Sequence, residues 1–395
     1  MPEPTPSQAR PFRHQAYRFA PPGAPHYSLC PGPHPPIGSE EFARRMDRVG
    51  AALDAAGVSA IYLAHGTFVG HDAAGVVAEL ARVFPKAARP VRDAIKRIVD
   101  KLSGEVGNYT GAMAEAFEQA INSPRRPHIS VRRFHWSSEN HHLGRADGAV
   151  RLIDELVREK PPAGRRILLW GHSHAGNVFA LATHLLSGRR EAIDAFFEAT
   201  EIYYSWPVVG CVDVPVWRQV RDLLQSSNNR PLADVALDMV TFGTPIRYGW
   251  DPAGHEQLLH FIHHRPVQGL PEYRAAFPPR LDDVTKAVGG DYVQQLGIAG
   301  TNIMPSVFAW RSWLADQRLH RLLQNDLPSG RHRDRFRAGA IVPDAGTSLL
   351  VDYGPLQGDV AEHLAGHAVY TSPQWLLFHA EETARRFYGL AADHE

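Results

Sequence analysis

Six short apolar runs, each bounded by glycine or polar turn residues, constrain this chain more than any other feature. They are "AIYLAHG" (Ala60 to Gly66), "HISVRRFHW" (His128 to Trp136), "RRILLWG" (Arg165 to Gly171), "VALDMVTFG" (Val235 to Gly243), "LLHFIHH" (Leu258 to His264) and "SLLVDYG" (Ser348 to Gly354). Each is too short for a helix and is bounded as a buried strand would be. Helical patterns separate most of them, as in "RADGAVRLIDELVREK", where Val150, Ile153, Leu156 and Val157 share one face. Near-continuous apolar strands alternating with amphipathic helices predict an α/β fold, a mostly parallel central sheet with helices on both faces. At 395 residues with 44% hydrophobic content, the chain can build such a core as one domain with insertions.

Residues 1–38 are proline-rich and lack apolar periodicity, so they read as an extended or flexible arm. Residues 39–395 then form the domain, opening on a helix capped by Ser39 and ended by Gly57. Two intervals, about 68–127 and 187–232, exceed a short crossover and read as helical, lid-like excursions over one end of the sheet. The second contains "IYYSWPVVGCVDVPVW", which reads first as core and secondly as the lining of an apolar pocket. "GAIVPDAGTSLLVDYG" reads as a hairpin, and "SPQWLLFHAEETARRFYG" as a last helix with Ser372 as its cap and Pro373 just inside.

Lysine plus arginine equals aspartate plus glutamate at 42 each, so no global field draws in nucleic acid or an anionic membrane. The basic run "RHRDRFR" (Arg331 to Arg337) reads as a solvated loop. Two distant cysteines, Cys30 and Cys211, make no disulfide framework. No run is long enough to cross a bilayer and the N-terminal residues do not pattern as a signal peptide, so the expectation is a cytoplasmic protein without an integral membrane segment. Oligomeric state is not legible.

Chemistry concentrates in Gly171-His172-Ser173-His174-Ala175-Gly176, between the apolar strand "ILLW" and the apolar helix "NVFALATHLL". A serine at the apex of a strained strand-to-helix turn needs small neighbours, which Gly171 and Ala175 supply. The first turn of the following helix points free N–H groups toward a developing oxyanion. His174 would donate one of the two amides such a site requires. Thr67, in the His-Gly-Thr turn after an early strand, would donate the other. A serine hydroxyl also needs an imidazole to take its proton. Among 22 histidines, His367 is favoured by position, in a small-residue loop after the last strand and before the final helix, ahead of His363.

These residues, with "TFGTP" from Thr241 to Pro245, make the chain resemble the α/β-hydrolase superfamily, particularly its lipase- and esterase-like members, over about Ala60 to Tyr388. Ala175 stands where glycine is usual, a tolerated departure. The resemblance implies a carboxylate between serine and histidine in chain order, just past a late strand. Arg265 occupies the first place to look and Asn302 another. Asp352 in "LLVDYG" is the choice, with Asp291 in "GGDYV" second and Asp251 in "RYGWD" third. His260, His263 and His264 form no HxHxDH or HExxH pattern, so no metal is expected, and no phosphate loop or dinucleotide fingerprint implies a cofactor. The expected function is hydrolysis of carboxylic esters, small or lipid-like, through an acyl-enzyme. A non-catalytic binding protein on the same fold and an acyltransferase using the same serine are the alternatives.

Overall fold

The computed structural model describes residues 12–14, 23–66, 108–205, 215–226, 231–276, 281–299, 305, 309–323, 340–356 and 360–391. Seven strands are described: β1 (His26–Leu29), β2 (Val58–Ala64), β3 (Ser130–Phe134), β4 (Arg166–His172), β5 (Ala236–Phe242), β6 (Gln257–His263) and β7 (Thr347–Val351). They form one sheet in the order β1-β7-β6-β5-β4-β2-β3, and every pairing is parallel. The helices that matter below are α1 (Glu40–Ala55), α2 (Gly111–Ile121), α3 (His142–Arg158), α4 (Ala175–Leu186), α5 (Arg190–Tyr204), α6 (Pro215–Gln225), α7 (Tyr292–Ala299), α8 (Trp310–Leu323) and α9 (Leu376–Tyr388). The protein is therefore an α/β fold.

Strand alternation divides the core cleanly. Ile167 and Leu169 of β4, with Tyr62 of β2 and Met239 of β5, pack against α3 to α6 and α8. Leu168 and Trp170, with Ile61, Leu63, Val240 and Phe261, pack against α1, α2 and α9 on the other face. Both faces being covered explains why these strands read as continuous apolar runs. α1 begins where expected, the Ser39 hydroxyl accepting from the Phe42 amide at 3.2 Å.

Two expectations change. Part of the proline-rich stretch belongs to the sheet: His26–Leu29 pairs with β7 as an edge strand, and Phe12 is fully buried in the core. The apolar strand "SLLV" offered β1 a partner, and edge strands tolerate neighbouring prolines. The hairpin is replaced by a loop leading into β7, which joins the sheet in parallel between β6 and β1. In the interval 187–232, α5 and α6 pack beside α3 and α8 with Phe196, Tyr204 and Trp217 buried together. Trp217 stacks on Phe196 and Tyr204 with ring centroids 5.9 and 5.4 Å away, so this part of the aromatic segment is core.

Strand order sets the site's position. From β2 the chain moves outward to β3, and then returns to β4 on the other side of β2 before continuing to β5. Such a reversal opens a crevice beyond the carboxyl ends of β2 and β4, where ligands of open parallel sheets bind. No helix among the described residues is long and apolar enough to cross a membrane.

Candidate active site

Ser173 lies at that crevice, directly after β4, with a backbone φ of +56°. A side chain in the left-handed region costs about 1–3 kcal/mol and persists only where the surroundings enforce it. Here they do. The Ser173 amide donates to the Phe242 carbonyl at 2.7 Å, and its own carbonyl accepts from the Thr244 hydroxyl at 2.7 Å and the Gly176 amide at 3.1 Å. The "TFGTP" segment thus clamps the turn from β5. Gly171 allows helix and strand to approach, because a Cβ there would stand 2.5 Å from the Phe179 ring.

Gly66, at the end of β2, meets the serine itself. A Cβ on Gly66 would lie 2.7 Å from Ser173 Cβ and 3.3 Å from Ser173 Oγ. The turn is pinned by α3's leading loop: Ser138 Oγ donates to the Gly66 carbonyl at 2.7 Å, and Trp136 Nε1 donates to the His65 carbonyl at 2.9 Å. Thr67, one expected oxyanion donor, lies outside the described residues. The other, His174, stands at the N-terminal end of α4, where leading N–H groups have no carbonyl within the helix. Burial first, then the Arg145 and Arg247 guanidiniums, hold the His174 imidazole well below its ordinary pKa. Both arginines are buried, and their charges reach the His174 ring.

His367 is brought to a carboxylate, but not the expected one. Its Nδ1 lies 2.7 Å from Asp291 Oδ2, and both side chains are buried. A carboxylate only accepts, so Nδ1 carries the proton and Nε2 keeps the lone pair a base needs. Asp291 also accepts from the Gln294 amide at 2.8 Å, at the start of α7. Tyr370 bridges the Asp291 carboxylate and the His263 amide, the latter donating to its hydroxyl at 2.6 Å. Burial and the Asp291 charge push the Tyr370 phenol well above its ordinary pKa, keeping it a neutral donor.

Asp352, the first choice from sequence, takes no part in this pair. It ends β7, accepts from the Gly354 amide at 2.9 Å and pairs with Arg265 at 3.0 Å. Asp251 is farther still, capping a turn through Ala253 and meeting Arg189 at 3.1 Å near the far end of α4. His363 is buried, and His260 is turned to Thr241 and the Ala345 carbonyl at 2.7 and 3.1 Å.

The route by which Asp291 arrives explains the error. After β6 the chain leaves at His264 and returns at Gly290, where the two residues form an antiparallel bridge. The Arg265 amide donates to Gly289 and the Asp291 amide donates to the His263 carbonyl at 2.9 Å. Asp291 therefore occupies the carboxyl end of β6 in space while standing far from it in sequence. Gln294, Thr244 and Tyr370 were also missed as supports. The double glycine before Asp291 was the one visible signal, a turn placed immediately ahead of an acid. Comparison with family models, curated proteins and solved structures finds no match for this chain.

Proposed function

We propose that this protein is a serine hydrolase that cleaves carboxylic esters, small or lipid-like, through an acyl-enzyme. The observation that carries the reading is the buried Asp291–His367 pair, 2.7 Å apart, in a structure that also holds Ser173 at φ +56° on a strand-to-helix turn. Serine, acid and histidine follow β4, β6 and β7. That is the chain order implied by the α/β-hydrolase resemblance, with Asp291 in place of Asp352.

In the proposed reaction His367 Nε2 takes the Ser173 hydroxyl proton as Oγ attacks the ester carbonyl carbon. Asp291 holds the imidazole's tautomer and balances the imidazolium charge. The carbonyl electron pair moves to oxygen, which the His174 amide receives, with Thr67 as the second donor. Collapse breaks the C–O bond, and the leaving alkoxide takes the proton from His367. Water, deprotonated by the same imidazole, then releases the acid and restores the serine. No cofactor enters the scheme.

The test is labelling with a fluorophosphonate together with turnover of p-nitrophenyl esters of graded chain length. Wild-type protein labels at Ser173 and turns over ester, while folded Ser173→Ala does neither. A folded wild type that neither labels nor turns over any ester would return the fold to a binding role.

A further inference from the structure

The loop that carries His367 has little regular structure to hold it. Leu364, Ala365 and Gly366 are successively left-handed, with φ of +46°, +51° and +93°, between a single helical turn, Val360–His363, and a short 3-10 turn, Ala368–Thr371. Yet two consecutive carbonyls of this loop are each met by an imidazole from a strand end. His172, the last residue of β4, places Nε2 3.1 Å from the His367 carbonyl. His263, the last residue of β6, places Nδ1 3.0 Å from the Gly366 carbonyl. A carbonyl cannot donate, so each of these nitrogens carries the proton. The His172 ring also lies against His367, with centroids 4.5 Å apart and planes inclined by 39°.

The geometry points to His172 and His263 as positioning residues, two strand-end imidazoles that clamp the backbone of the base loop so that the His367 ring stays on Asp291. This rests on the serine-hydrolase reading for its effect on turnover, but not for its effect on the loop. His172 stands directly before the nucleophile, so a single strand end fixes both Ser173 and the backbone of its base. Its ring also abuts Gly66, where a Cβ would lie 3.3 Å from His172 Nδ1.

The test compares His172→Phe, which keeps a ring but loses the donor, with His172→Gln, which keeps an N–H donor. A reacting group displaced by about 1 Å costs on the order of 10²-fold in rate. His172→Phe is expected to lower kcat by about that factor with KM little changed, and His172→Gln to recover most of it. The same comparison at His263 should follow the same pattern. Proton NMR gives a readout independent of turnover: the far-downfield resonance of the His367 Nδ1 proton on Asp291 weakens or exchanges faster in the phenylalanine variants and persists in the glutamine ones. Wild-type kcat and an unaltered resonance in folded His172→Phe would overturn the clamp. If the wild type neither labels nor hydrolyses, the hydrolase reading fails, and the resonance alone still decides the clamp.

Discussion

Acidification should unfold this protein unusually early, and the reason is its buried histidines. Burial holds His142, His174 and His379 well below the ordinary histidine value of 6.5. It also depresses His260 to about 3 and His264 to about 4. Nearby cations add to the effect, Arg145 and Arg247 at His142 and His174, His255 at His260, and His263 at His264. The sign follows from proton counting. Above pH 6.5 these rings are neutral folded or unfolded. Below it the unfolded chain binds protons that the folded chain refuses, so stability falls with pH until each folded value is reached. Each group costs about 1.4 kcal/mol per pH unit, so at about pH 5 His260 and His264 together remove about 4 kcal/mol, and His142, His174 and His379 act in the same direction. His141 works the other way, because Glu139 and Asp316 overcome its burial and raise its value. With three further rings acting in the same direction, the loss approaches the roughly 5–15 kcal/mol that holds a native domain together. Tryptophan fluorescence and circular dichroism from pH 8 to 4 should therefore show one cooperative transition near pH 5, with several protons taken up per molecule. Native signals at pH 4, or a melting temperature unchanged between pH 8 and 5, would refute the argument.

The remaining predictions concern the site. Asp291→Asn should lower kcat on a p-nitrophenyl ester by about 10⁴-fold, as loss of the tautomer-fixing carboxylate does in serine hydrolases. Asp352→Asn should leave kcat within about twofold, since rate differences of that size lie near 0.4 kcal/mol; the reverse pattern would reassign the acid. Gly66→Ala should cut kcat/KM at least about tenfold, because its Cβ would stand 2.7 Å from Ser173 Cβ and push the nucleophile or the turn aside. Ser173→Gly should abolish turnover while stabilising the fold by about 1 kcal/mol, the relief of a left-handed side chain exceeding the added chain entropy; thermal melting checks the second part.

The sheet was legible because burial on both faces leaves continuous apolar runs, and β2 to β7 all arise from runs recognised as such. β1 was hidden by its surroundings: a four-residue edge strand in a proline-rich stretch has neither length nor periodicity to distinguish it. Ser173 was legible for a different reason, since a strand, a small-residue turn and a helix are all local. The acid was not. Reading for a carboxylate immediately after a strand reached β6, whose end Asp291 occupies in space, and dismissed it at Arg265. The segment leaving at His264 and returning at Gly290 is a long-range closure, fixed by the His263–Asp291 and Arg265–Gly289 backbone bonds rather than by any local pattern. Asp352 looked better because it combined a strand end with proximity to His367 in sequence. In space the Arg265 side chain takes its carboxylate instead.

The ends of β4, β6 and β7 share one edge of the sheet because of how parallel sheets are built. Parallel strands deliver their carboxyl ends to one edge, so the residues after β4, β6 and β7 converge with no dedicated scaffold. What the fold adds is enforcement. Ser173 is held left-handed by β5, Asp291 is returned to β6, and His367 is met by the ends of β4 and β6. An idle corner would not keep this arrangement. Glycine at position 173 would remove the backbone strain, and an apolar residue at 291 would avoid burying a carboxylate, which is costly unless paired. A serine where glycine is cheaper, in a fold that also ties a buried carboxylate to an imidazole, is what the proposed proton relay would require. That combination favours the proposed catalytic reading over a binding protein on the same sheet.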